Sequence, residues 1–168
     1  MDKQINLKID DIDVQVNPGE TILDAAKKLN IRIPTLCYHQ DLCVAGNCRI
    51  CVVEQKEKPS LVASCAVPAE EGMEILTNSM KVRSARRHII ELLLSEHNAN
   101  CTTCYKNGNC ELQSLAEEYK LVDPVLMDLV GDKHYTIDQL SPSIIKDDSK
   151  CIRCQRCVRT CEQLQDVS

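Results

Sequence analysis

Twelve cysteines in 168 residues fall into three tight groups, and this grouping constrains the chain more than any hydrophobic pattern in it. The chain has no Trp, no Phe and only four Tyr, so a core built from it carries little apolar area per side chain. Small domains with thin cores recruit disulfides or metals to hold their segments together. Disulfides would suit a secreted protein, but the opening residues MDKQINLKIDDIDVQV contain no apolar signal-peptide core. The longest apolar cluster, from Ile89 to Leu94, is interrupted by Glu91 and falls far short of a membrane span. Clustered cysteines in a reducing compartment bind metal, so the expectation is a cytoplasmic metalloprotein.

The first group is Cys37, Cys48, Cys51 and Cys65, spaced C-x10-C-x2-C-x13-C. Thiolates suit soft iron, and a close C-x2-C pair lets one loop grip one side of a cluster while distant cysteines close the other. The loop Val44-Ala45-Gly46-Asn47 can turn backbone N–H groups toward sulfur and tune a potential. Cys43, Cys48 and Cys51 offer a rival set, the plant-type C-x4-C-x2-C run. Either Cys37 or Cys43 can serve, with the other a small polar filler nearby.

The second group is His97, Cys101, Cys104 and Cys110, spaced H-x3-C-x2-C-x5-C. Three cysteines and a histidine could hold zinc, but the two chelating pairs separated by a long loop that zinc usually takes are missing. An imidazole in place of a thiolate removes a negative charge and raises a cluster's reduction potential. His39, His88 and His134 have no such company. The third group, Cys151, Cys154, Cys157 and Cys161, spells the bacterial ferredoxin run C-x2-C-x2-C-x3-C. The fourth cysteine of that run serves a second cluster in two-cluster ferredoxins. Either Cys161 closes a local cluster or the chain is the front of a longer polypeptide. The second is the expectation, with the third cluster incomplete.

Ile5, Leu7 and Ile9 alternate with polar residues, as do Ile12, Val14 and Val16, with Asp10-Asp11 between them, which predicts a hairpin. Thr21 is placed to cap a helix carrying Ile22, Ala25, Ala26 and Leu29. Short strands fit Arg49–Val53, Leu61–Ala63 and Glu74–Leu76, giving an α+β plan. A helix from near Asn78 or Ser79 would bury Val82, Ala85, Ile89, Leu92 and Leu93. A later one would bury Leu112, Leu115, Ala116 and Tyr119. Residues 121–149, broken by Pro124, Gly131 and Pro142, read as a connector.

The net charge of −5 argues against nucleic-acid binding. The basic stretch Lys81, Arg83, Arg86 and Arg87 reads as a solvated helix face more readily than as a docking patch. Arg49, Arg153, Arg156 and Arg159 adjoin cysteines in sequence and could stabilise reduced clusters, or be ordinary surface arginines. There is no Gly-rich dinucleotide fingerprint and no residue set for substrate catalysis.

CYHQDLCVAGNCRICVVE, followed by ASCAVP, ILTNS, HIIELLLSEHNANCTTC and GNCELQ, resembles the N-terminal module of the large iron–sulfur subunit of complex I. The same module begins NADH-dependent FeFe-hydrogenases, diaphorase subunits of NAD-reducing hydrogenases and NAD-linked formate dehydrogenases. The likeness is dense from about residue 3 to 120 and resumes at Ser143–Gln165. It implies a β-grasp 2Fe–2S ferredoxin-like domain over residues 1–78, with Cys37, Cys48, Cys51 and Cys65 as ligands and Cys43 surplus. It implies a small helical 4Fe–4S domain over 79–120, ligated by His97, Cys101, Cys104 and Cys110. A connector over 121–142 and the start of a bacterial-ferredoxin-type 4Fe–4S domain over 143–168 would follow. There Cys161 would serve a second cluster.

The stretch SPSIIKDDSKCIRCQRC looks most like NADH-linked, electron-bifurcating hydrogenases, with formate dehydrogenases sharing much of it. The implied partners are a flavin- and NADH-binding subunit, a thioredoxin-like 2Fe–2S subunit and a soluble ferredoxin, in a hetero-oligomer. The competing class is a zinc-stabilised interaction module without redox work; a free-standing accessory ferredoxin is a third reading.

Overall fold

The computed structural model of the protein describes residues 4–56, 58–121 and 135–167. Most of the sequence-predicted connector lies outside them. The chain divides into two compact units, one formed by Met1–Arg86 with Gln155–Ser168 and the other by Arg87–Cys154.

The first unit is organised by a five-stranded mixed sheet. Strands β1 (Ile5–Ile9) and β2 (Ile12–Val16) form the expected hairpin, pairing Leu7 with Val14 and Ile9 with Ile12. Asp10 and Asp11 take φ of 48° and 66°. Two successive left-handed residues make the turn whose twist matches the strands, and Asp tolerates that region better than most side chains. The other strands are β3 (Val52–Gln55), β4 (Leu61–Ala63) and β5 (Glu74–Leu76), in the sheet order β2-β1-β5-β3-β4. Only β1 and β5 pair in parallel.

Helix α1 (Ile22–Lys28) lies between the hairpin and β3 in sequence and buries Ile22, Leu23, Ala25 and Ala26 in a cluster with Leu7, Ile9, Val14 and Ile75. Its start is set by a capping box. Thr21 Oγ1 accepts from the Asp24 N–H at 3.2 Å, and an Asp24 carboxylate oxygen accepts from the Thr21 N–H at 3.2 Å. Thr21→Ala is expected to cost about 1 kcal/mol. The urea midpoint would fall at constant slope, and an unmoved midpoint would show that Asp24 holds the helix start alone.

Strand β3 begins three residues later than the sequence predicts. Arg49 adopts φ of 56° and its carbonyl accepts from the Val52 N–H at 3.3 Å. The residues between Cys48 and Cys51 are therefore spent on a turn and cannot be extended.

Helix α2 (Met80–Glu96) starts behind Ser79, whose hydroxyl accepts from the Val82 N–H at 3.2 Å. Its buried stripe is Val82, Arg86, Ile90 and Leu94, with Ala85, Ile89 and Leu93 half-buried. The expectation that Leu92 faces the core is wrong, since it is 58% exposed. The buried row follows the i, i+4 ridge and admits an arginine that apolar periodicity passes over. That arginine corrects the expected solvated basic face as well. Arg86 is buried and donates to the Val52 carbonyl at 2.8 Å, while Arg87 pairs with Glu91 at 3.2 Å.

In the second unit, helix α3 (Glu111–Glu118) buries Leu112 and Leu115, with Ala116 and Tyr119 half-buried. A short hairpin, β6 (Ile137–Asp138) with β7 (Lys146–Asp147), precedes a 3-10 turn at Asp148–Lys150. Helix α4 (Arg156–Leu164) belongs to the first unit. Among the described residues no helix is long and apolar enough to cross a membrane.

Candidate metal centres

The four cysteines of the first group come together as two pairs. Cys51 and Cys65 carry sulfurs 3.4 Å apart, both inside the hydrophobic cluster of the sheet. Cys37 and Cys48 share a second thiol hydrogen bond. The Cys48 thiol holds Cys37 down to about 5 against the opposing effect of burial. The N–H groups of Cys48 and Asn47 and the guanidinium of Arg159 add to that lowering. In return Cys48 is pushed up, by that bond and by burial.

The second pair behaves alike. Its mutual hydrogen bond holds Cys51 down to about 6 despite burial, with the Cys65 N–H and the Ser64 hydroxyl assisting, and pushes Cys65 up. Each pair thus draws one thiol toward the thiolate, the form that binds metal.

Two sulfurs on one tetrahedral metal lie about 3.7 Å apart at a metal–sulfur distance of about 2.3 Å. Two such pairs suit two metal atoms. Among the described residues no three His, Cys, Asp or Glu side chains converge on a single ion. Two close thiol pairs are a donor set that fits a 2Fe–2S cluster.

Cys43 stands apart from both pairs. It is exposed, its N–H donates to Gln163 Oε1 at 2.8 Å, and its sulfur accepts from Gln163 Nε2 at 2.6 Å.

His97 follows the last residue of α2, where its own N–H donates to the Leu94 carbonyl at 3.1 Å. The helix end is tied on both sides. The Tyr135 hydroxyl donates to the Glu96 carbonyl at 2.7 Å, and the Asn98 N–H to the Ser149 carbonyl at 2.8 Å. Cys101 opens a 3-10 turn, Cys104 closes it, and Cys110 caps α3. A cavity of 530 Å³ is lined by His97, Cys101 and Cys110 together with Leu94, Leu112 and Ala116. Cys104 is not in that lining. One imidazole and two thiols opening on a largely apolar space are a fitting donor set for an iron–sulfur cluster.

The third group is divided. Cys151 and Cys154 belong to the second unit, while Cys157 and Cys161 stand exposed on α4 in the first. The Arg153 N–H donates to the Cys151 sulfur at 3.4 Å, and the Arg153 side chain pairs with Glu96 at 3.0 Å on the surface.

Residues 2–80 match the 2Fe-2S iron-sulfur cluster binding domain, and residues 86–124 match the NADH-ubiquinone oxidoreductase-G iron-sulfur binding region. Both segments are those of the iron–sulfur module that complex I large subunits share with NAD(P)-linked hydrogenase subunits. Proteins similar to this chain include the NADP-reducing hydrogenase subunit HndD of Solidesulfovibrio fructosivorans, 45% identical over 96% of this chain and 28% of the relative. The NADH-ubiquinone oxidoreductase 75 kDa subunit of Reclinomonas americana is 37% identical over 97% of the chain and 23% of the relative. The mitochondrial 78 kDa subunit of Candida albicans is 34% identical over 93% of the chain and 22% of the relative. This chain therefore spans under a third of these relatives' lengths. A crystal structure of an NAD+-reducing NiFe-hydrogenase in its H2-reduced state superposes with a TM-score of 0.84 at 33% identity, over 94% of this chain and 66% of that one.

Two of the arginines that adjoin cysteines in sequence make their contacts elsewhere. Arg156 and Arg159 reach the loop of the first group, 118 and 122 residues away, and Gln163 does likewise. No local signal in the sequence marks these contacts.

Proposed function

We propose that this chain is an electron-transfer module. It would pass single electrons between a flavin- and NAD(P)(H)-binding partner and a downstream acceptor, in a hydrogenase-type assembly in the cytoplasm. The observation that carries the reading is the sorting of Cys37 with Cys48 and Cys51 with Cys65, two thiol pairs where two irons require them. In this reading those four hold a 2Fe–2S cluster. His97, Cys101, Cys104 and Cys110 hold a 4Fe–4S cluster. Cys151, Cys154, Cys157 and Cys161 contribute to a further 4Fe–4S site, with Cys161 serving a second cluster. The 45% identity to an NADP-reducing hydrogenase subunit, against 37% and 34% to NADH-ubiquinone oxidoreductase subunits, supports the hydrogenase assignment over complex I. Electron bifurcation and a thioredoxin-like 2Fe–2S partner belong to the same reading.

Bound clusters supply one-electron stations whose potentials follow ligand type, charge and burial. The chain's own residues do the rest. The hydrophobic cluster around Cys51 and Cys65 fixes two sulfurs and excludes water from them. The N–H groups of Asn47 and Cys48 are turned toward Cys37 and stabilise negative charge there. Tyr135 and Ser149 fix the end of the helix that presents His97.

Anaerobically purified chain should be brown, contain iron and acid-labile sulfide in near-equal amounts, and bleach on adding dithionite. Colourless protein with stoichiometric zinc would end the redox reading.

A further inference from the structure

Three residues on one face of α4, Arg156, Arg159 and Gln163, all grip the segment from Cys37 to Cys43. Their spacing of three and then four places them in one row along the helix. Arg156 donates to the Tyr38 carbonyl at 3.1 Å. Gln163 brackets Cys43 through its N–H and its sulfur. Arg159 donates one guanidinium nitrogen to the Cys37 carbonyl and the other to the Cys43 carbonyl, closing the loop from both ends. Its side chain is only 5% exposed.

Of the arginines that adjoin cysteines in sequence, Arg49 and Arg153 are exposed and Arg156 is half-buried. Burying a guanidinium is costly unless negative charge lies close by. Here both guanidinium nitrogens are spent on the carbonyls that flank the Cys37–Cys43 segment, which places the cation beside a proposed cluster ligand.

We propose that Arg159, although it sits between two cysteines of the third group, is a positioning residue of the first. It holds the Cys37–Cys43 loop in register and supplies the buried positive charge that favours the one-electron-reduced state there. This rests on the 2Fe–2S reading of Cys37, Cys48, Cys51 and Cys65. Reduction adds one negative charge to a site of low polarity, and a fixed cation nearby offsets it. Replacing the cation with a neutral side chain makes the electron harder to add.

The test is an EPR-monitored redox titration of the anaerobically purified chain beside Arg159→Met and Arg159→Lys. For the Met variant the reduced-to-oxidised ratio of the 2Fe–2S signal should fall about tenfold at fixed potential, a shift of about 59 mV for one electron. The Lys variant should titrate near the parent chain, and the 4Fe–4S signal should not move in either. An unmoved Met variant, or equal shifts in Met and Lys, would overturn the proposal. Should the Met variant take up no cluster, the Lys variant decides. A parent-like potential supports the charge, and a lowered one overturns it. A parent chain with no 2Fe–2S signal fails earlier, taking the electron-transfer reading with it, so the two failures are distinct.

Discussion

Cys48→Ser abolishes the 2Fe–2S EPR signal of the dithionite-reduced chain, whereas Cys43→Ser leaves it intact. Cys48 hydrogen-bonds to Cys37, and in the 2Fe–2S reading its loss would strip one iron of half its protein ligands. A serine hydroxyl, much harder to deprotonate than a thiol, is a poor substitute for the thiolate at an iron–sulfur site. Cys43 spends its sulfur on Gln163 instead. Replacing it costs one weak hydrogen bond on an exposed loop, a fraction of a typical net value of about 1 kcal/mol. Comparing spin quantitation between the two variants and the parent makes the contrast measurable. The opposite pattern would hand the ligand role to the plant-type run and displace Cys37.

His97→Cys retains a 4Fe–4S cluster and lowers its potential, on the order of 100 mV by analogy with the effect of imidazole ligation in Rieske centres. A thiolate carries a negative charge that neutral imidazole lacks, so the reduced state is disfavoured. The end of α2 is held independently by the Tyr135 hydroxyl on the Glu96 carbonyl and by the Asn98 N–H on the Ser149 carbonyl. A redox titration with the 2Fe–2S signal as internal reference reads the shift. An unchanged value would remove His97 from the ligand set.

The parts of the fold legible in the sequence are those encoded locally. Alternation over Ile5–Ile9 and Ile12–Val16 predicts a hairpin, and its pairing follows from a two-residue turn with no freedom to slip. Thr21 announces the start of α1 because an N-cap is a single residue beside an apolar stripe, while the reciprocal bond from Asp24 is a finding of the structure. The start of β3 was masked by side-chain pattern. Val52 and Val53 look continuous with Ile50, yet the backbone at Arg49 turns to bring Cys48 and Cys51 onto one loop. The face of α2 was misread at Leu92 because Arg86 takes a core position through its bond to the Val52 carbonyl. A tertiary partner, not periodicity, decides that choice.

The cysteine groups were visible as spacings. Their division into Cys37 with Cys48 and Cys51 with Cys65 depends on the path of β3 and β4 between them, which spacing does not carry. The grip of α4 on the Cys37–Cys43 segment joins residues more than a hundred positions apart and has no local trace.

Cys37, Cys51 and Cys65 are sealed from solvent, and Cys48 alone of that group keeps some accessible surface. In the 2Fe–2S reading proposed above, access to this centre would be one-sided: a scaffold handing over iron, a chelator stripping it, or peroxide attacking it would approach along the Asn47–Arg49 edge. Any protein that shields this edge would govern the lifetime of the metal without touching the other three sulfurs.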